Sequence, residues 1–204
     1  MALSSLRKTS AAFAFAIVAI ASLFSSNSRA EDSAMGAPAD STIRIVAIGA
    51  SNTAGWGVGS QNAYPAQLEI MLKAQGYNVH VTNAGKSFDT TTGILRRLDA
   101  AVPKGTSMVI VQPGGNDFRF FGSKEQRAAN IVAIADRLRA GNIKVIMFEN
   151  KIVPSNLYQW DGIHFTTKGH KWIASYLMRP VLASIDTYGI ADQLSSEAPK
   201  SLSE

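Results

Sequence analysis

The chain has 204 residues, a net charge of +5 and no cysteine. The absence of cysteine excludes a thiol nucleophile, a disulfide framework and a lipoprotein anchor. Much of the positive charge sits in Arg7, Lys8 and Arg29, and no stripe of basic residues interleaved with aromatics follows, so nucleic-acid binding finds no support.

In chain order, residues 1–30 read as a signal peptide. Arg7 and Lys8 form a basic start, Ala11 to Phe24 is an apolar run, and Ser28-Arg29-Ala30 has the alternating small residues that a signal peptidase needs. The run is short for a bilayer span. The expectation is a periplasmic or secreted protein with no stable membrane anchor, whose mature chain begins near Glu31. Residues 31–42, rich in Ala, Asp and Ser, are expected to be a linker, residues 43–190 one domain with its own core, and residues 191–204 a polar tail.

Within the domain, Ile43 to Ile48 predicts a short buried strand. Ala66 to Gln75 predicts a helix carrying Leu68, Ile70, Met71 and Leu72, stopped by Gly76. A strand at 78–82 follows, then a helix over 91–101 with Ile94, Leu95 and Leu98 inward, and a strand at 107–111. Lys124 to Ala140 predicts a helix with Ile131, Val132, Ile134, Ala135 and Leu138 on one face, and Val145 to Phe148 a fourth strand. The last helix is expected from Thr167 to Ile185, with an apolar stripe from Trp172 to Leu182 and a bend at Pro180. Strands alternating with helices imply a parallel sheet covered on both faces. Such sheets bind ligands beyond the carboxyl ends of their strands.

The chemistry-bearing residues fall in those loops. After the first strand comes Gly49-Ala50-Ser51-Asn52-Thr53, and after the second Asn83-Ala84-Gly85-Lys86-Ser87-Phe88-Asp89-Thr90. After the third comes Gly114-Gly115-Asn116-Asp117, and beyond the fourth Asp161-Gly162-Ile163-His164. A serine hydroxyl becomes a competent nucleophile when a base removes its proton, and histidine titrates near neutrality. His164 has a carboxylate three residues before it, so Asp161 can fix its tautomer and stabilise the imidazolium. The Asn116 amide and the Ser51 backbone N–H are candidate donors to a tetrahedral oxyanion. His80 and His170 have no metal-ligand spacing, so no metal site is expected. Asp89 and Asp117 are expected to brace their loops.

These four blocks, in this order, resemble the SGNH hydrolases, also called GDSL-like lipases or acylhydrolases. The resemblance implies a flavodoxin-like three-layer α/β/α sandwich with a parallel sheet. It implies an esterase that works through an acyl-enzyme without a cofactor, with Ser51 as nucleophile, His164 as base, Asp161 as its orienter, and Asn116, Phe88 and Ser51 forming the oxyanion hole. Substrates would be small-molecule, lipid or carbohydrate esters. Three departures stand out. Ala50 replaces the usual aspartate before the nucleophile. Phe88 occupies a usual glycine slot, where its ring would crowd or line the acyl pocket. Only Lys151 to Trp160 separate the fourth strand from Asp161, so the core is expected to shorten to about four strands with a more open site.

Trp56, Phe118, Phe120, Phe121, Tyr158 and Trp160 cluster in these loops. Trp56, Phe118, Tyr158 and Trp160 are candidates for substrate binding, or else simply cover the sheet edge. Two other functions fit parts of the pattern. One is a non-catalytic descendant binding carbohydrate or cell-envelope ligands, motivated by Phe88 and the shortened core. The other is a flavin binder using Ser51 to Gly55 as a phosphate loop, which leaves Asp161 and His164 without a role. The chain is expected to be a monomer or a homodimer, the latter through its exposed fourth strand.

Overall fold

The computed structural model describes residues 42–120 and 122–196. The expected signal peptide, nearly all of the expected linker, Phe121 and residues 197–204 lie outside the described residues.

Strands β1 (Ile43–Gly49), β2 (Val79–Gly85), β3 (Met108–Gln112) and β4 (Lys144–Met147) form one parallel four-stranded sheet in the order β2-β1-β3-β4. The register pairs Ile45 of β1 with Val81 of β2 and Met108 of β3. Strand alternation sends side chains to two cores. Ile45, Ala47, Met108 and Ile110 pack against Leu68 and Leu72 of helix α2 (Tyr64–Ala74) and Ile173, Leu177 and Val181 of helix α7 (Thr167–Ser196). Val46, Ile48, Val109 and Val111 pack on the other face against Ile94 of α3 (Thr91–Arg96), Leu98 of α4 (Leu98–Ala101) and Ile134 and Leu138 of α6 (Lys124–Ala140). The result is a three-layer α/β/α sandwich, as expected, with two short helices, α1 (Ser51–Ala54) and α5 (Asn116–Arg119), at the carboxyl edge.

Several local expectations change. The helix expected over 91–101 breaks at Arg97, whose side chain is drawn inward to Asp89 Oδ2 at 2.7 Å and the Gly49 carbonyl at 3.1 Å. On α6 the buried stripe runs Asn130, Ile134, Ala135 and Leu138, while Val132 faces solvent. At about 100° per residue Val132 falls opposite Ile134. Asn130 takes its place in the stripe by donating to Thr91 Oγ1 at 3.0 Å and Thr92 Oγ1 at 2.8 Å. Ile70 of α2 is likewise exposed. Helix α7 passes through Pro180 and runs to Ser196, so the first residues assigned to a polar tail are helical. That stretch holds no further proline and only one glycine, Gly189.

From β1 the chain crosses to β2 on one side and then to β3 on the other. A crevice therefore opens beyond the carboxyl ends of β1 and β3, where connections leave in opposite directions.

Candidate active site

Ser51 stands one residue beyond β1, after Ala50, and is the first residue of α1, where a backbone N–H has no intrahelical acceptor. The turn that presents it is tightly packed. A Cβ at Gly85 would lie 2.2 Å from the Ala54 nitrogen, so β2 can end against α1 only as glycine. The neighbouring Thr53 donates to Gln112 Oε1 at 2.5 Å, and Gln112 donates on to Asn150 Oδ1 at 2.8 Å. The ends of β1 and β3 and the loop after β4 are thereby tied together.

His164 approaches from the far side of the crevice. Its Nε2 lies 3.0 Å from Ser51 Oγ, and its Nδ1 lies 2.6 Å from Asp161 Oδ2. Asp161 Oδ1 accepts from the backbone N–H groups of Ile163 at 2.9 Å and His164 at 3.0 Å, across a turn in which Gly162 adopts φ 65°. The backbone N–H of His164, then its ring, then the N–H of Ile163 hold the Asp161 carboxyl down to about 2. An ionised carboxylate only accepts, so Nδ1 carries the proton and Nε2 is left as an acceptor for the Ser51 hydroxyl. This arrangement can take a proton from serine and return it to a leaving group.

The loop after β3 supplies the facing wall. Asn116 lines the cleft and donates one amide hydrogen to the Asp89 carbonyl at 2.9 Å, which leaves a second for a ligand. Buried Asp117 accepts from the Thr91 N–H at 3.1 Å and the Thr91 hydroxyl at 2.5 Å. Asp89 is bonded by Arg97, so both aspartates brace their loops. Ala50 is buried and brings no carboxylate. The strand end beside it is held instead by Arg97 and by the Lys86 N–H, both donating to the Gly49 carbonyl.

Phe88 sits third in a turn closed by the Asp89 N–H donating to the Lys86 carbonyl at 3.1 Å, with φ 65° in the left-handed region. A residue with a Cβ is strained there. Contrary to the expectation for its ring, Phe88 does not line the cleft. It is 62% exposed and meets Trp56 edge-on at 5.7 Å.

The cleft has a volume of about 230 Å³. Ala50, Ser51, Asn52, Gln112, Asn116 and Arg119 line it. Asn150, Tyr158 and Ile163, the last next to His164 in the chain, complete the lining with Gly114, Gly115 and Gly162. Of the four aromatic candidates, Tyr158 lines this space and donates to the Asn150 carbonyl at 2.9 Å. Trp56 instead stacks on the His164 ring at 5.5 Å, and Phe118 lies under the Arg127 guanidinium at 5.9 Å. Trp160 is 97% exposed and Phe120 is also exposed. Among the described residues no group of three His, Asp or Glu side chains is placed to hold a metal ion, and no helix is long and apolar enough to cross a membrane.

Sequence reasoning passed over Asn52, Arg97, Gln112, Arg119 and Asn150. Asn52 is only 6% exposed and Gln112 1%. Amides at the buried ends of apolar strands were the available signal.

The GDSL-like lipase/acylhydrolase family profile matches residues 47–158, ending just before Asp161 and His164. Esterase TesA of Pseudomonas aeruginosa is 30% identical over 112 residues, 54% of this chain and 56% of the relative. The chain thus spans about half the length of the curated relative it matches. Among solved structures, the psychrotrophic esterase EstA from Pseudoalteromonas sp., inhibited by monoethylphosphonate, matches with a TM-score of 0.59 at 19% identity over 71% of this chain and 97% of that one. A catalytic mutant of an acetylxylan esterase from Geobacillus stearothermophilus matches with a TM-score of 0.58 at 14% identity over 68% of this chain and 94% of that one. At these identities the solved structures show a shared fold.

Proposed function

Because the chain belongs to the GDSL-like lipase/acylhydrolase family and has the SGNH-hydrolase fold, we propose that it is an exported serine esterase using Ser51, His164 and Asp161 as its triad. The observation that carries this reading is the continuous chain Asp161–His164–Ser51, with contacts of 2.6 and 3.0 Å.

In this mechanism His164 Nε2 takes the Ser51 proton as Oγ attacks the acyl carbonyl carbon. The carbonyl π-bond opens to an oxyanion, received by the Ser51 and Phe88 N–H groups and the free amide hydrogen of Asn116. Asp161, already anionic, stabilises the imidazolium. As the oxyanion collapses, the bond to the alcohol oxygen breaks and His164 protonates it. Water, deprotonated by the same nitrogen, then releases the acid and restores the serine. No cofactor takes part. Small aryl and acyl esters, lysophospholipids and acetylated polysaccharides are the substrate classes considered.

Hydrolysis of p-nitrophenyl acetate, butyrate and octanoate by the wild type, Ser51→Ala and His164→Ala is the direct test. Either substitution is expected to reduce kcat by about 10³-fold or more, and a phosphonate ester should label only proteins retaining Ser51. Equal, negligible rates with intact folding would instead favour a non-catalytic carbohydrate- or envelope-binding protein. Export rests on the residues around Arg7 and on Ser28-Arg29-Ala30. Mass spectrometry of the periplasmic or secreted protein should find Glu31 as its first residue.

A further inference from the structure

Every carboxylate close to the cleft is already engaged. Asp89 is bonded by Arg97, Asp117 by Thr91, Glu149 by Arg127 and Asp161 by His164. Arg119 is different. It lines the cleft on the one-turn helix α5, three residues after Asn116 and therefore on the same helical face. Arg119 is exposed, its guanidinium makes no hydrogen bond or ion pair with any described residue, and among the described residues it is the one charged side chain lining the cleft. The rest of the wall is neutral, chiefly the amides of Asn52, Gln112, Asn116 and Asn150.

An unpaired cation beside a wall of neutral amides attracts anions and repels cations. We infer that Arg119 is a specificity-determining residue that binds a carboxylate carried by the substrate, so that the preferred esters are small and monoanionic. The inference rests on the esterase reading above and narrows its substrate class. A guanidinium meets a carboxylate through two parallel N–H bonds and balances its single charge, whereas a phosphate dianion would keep one charge uncompensated. The cleft volume of about 230 Å³ suits a compact ester, since it falls below the roughly 300–1,000 Å³ typical of sites that enclose a drug-sized ligand.

The test compares phenyl acetate with 4-acetoxybenzoate, which differ by one carboxylate remote from the scissile bond. Wild type should favour 4-acetoxybenzoate in kcat/KM, and added salt should erode that preference. Arg119→Gln should lower kcat/KM for 4-acetoxybenzoate about 10-fold or more, mainly through KM, and by a clearly smaller factor for phenyl acetate, so that the ratio between the two esters falls. Arg119→Lys should restore part of the preference. Equal responses of the two esters, or no response, would overturn the inference while leaving the esterase intact. Calorimetric binding of 4-acetoxybenzoate to Ser51→Ala, with and without Arg119→Gln, separates the two readings. Arg119-dependent binding together with a wild type that hydrolyses neither ester would retain the anion site and remove the esterase.

Discussion

Asn52 spans the backbone on both sides of His164: its amide donates to the Ile163 carbonyl at 3.0 Å, and its oxygen accepts from the Phe165 N–H at 3.1 Å. The residue next to the candidate nucleophile therefore clamps the loop that carries the candidate base, although more than a hundred positions separate them. This contact fixes the distance between Ser51 and His164 more firmly than their own single hydrogen bond could.

Asn52→Leu keeps the bulk and removes both bonds. Two backbone groups then lose their partner, at a cost of about 2–3 kcal/mol. Loosened alignment should lower kcat on p-nitrophenyl acetate about 10–100-fold with little change in KM. A parallel rise in KM with unchanged kcat would show that Asn52 acts on binding instead.

Phe88 holds a left-handed φ with most of its ring in solvent, so little packing offsets the strain. Glycine relieves roughly 1–2 kcal/mol of that strain but adds unfolded-state entropy. Alanine keeps the strain and loses the Trp56 contact. The expected order in urea unfolding is Phe88→Gly above Phe88→Ala by about 1 kcal/mol, with Phe88→Gly at least equal to wild type. Phe88→Ala matching or exceeding Phe88→Gly would contradict this account of the turn.

Asp117 receives two hydrogen bonds from buried Thr91 and joins the Asn116 turn to the start of α3. Asp117→Ala should destabilise the protein by about 2–4 kcal/mol and reduce esterase activity by displacing Asn116. Asp117→Asn retains one acceptor oxygen and should recover part of the stability. Chemical denaturation of both variants measures the difference.

His170 is fully buried, accepts from the Tyr64 N–H through Nδ1 at 3.2 Å and meets the Phe165 ring edge-on. Burial pushes its pKa down from 6.5 to about 4. The unfolded chain binds this proton below about pH 6.5 and the folded one only near 4, so the stability it supports is whole above 6.5 and falls as the pH drops to 4. The loss should approach about 3 kcal/mol. Its ring resonances should begin to titrate only near pH 4, and thermal melts of His170→Gln should show a shallower acid slope than wild type.

The sequence by itself determined the layers and the parts. Apolar runs located the central strands β1 and β3, since a strand buried on both faces reads as continuous hydrophobicity, and shorter apolar stretches located the partly exposed edge strands β2 and β4. The short stretch from Lys151 to Trp160 already limited the sheet to four strands, and the blocks around Ser51, Asn116 and His164 named the polar groups at one edge. Tertiary structure decided what those groups do to one another. Arg97 breaking its helix to reach Gly49, Asn130 pairing with Thr91 and Thr92 in the buried stripe, Trp56 stacking on His164 rather than lining the cleft, and Asn52 clamping the His164 loop are contacts between distant segments. Periodicity reports only which way a residue faces on its own element. Which buried polar group finds which partner depends on where the other elements end, and the cost of leaving one unpaired selects the arrangement.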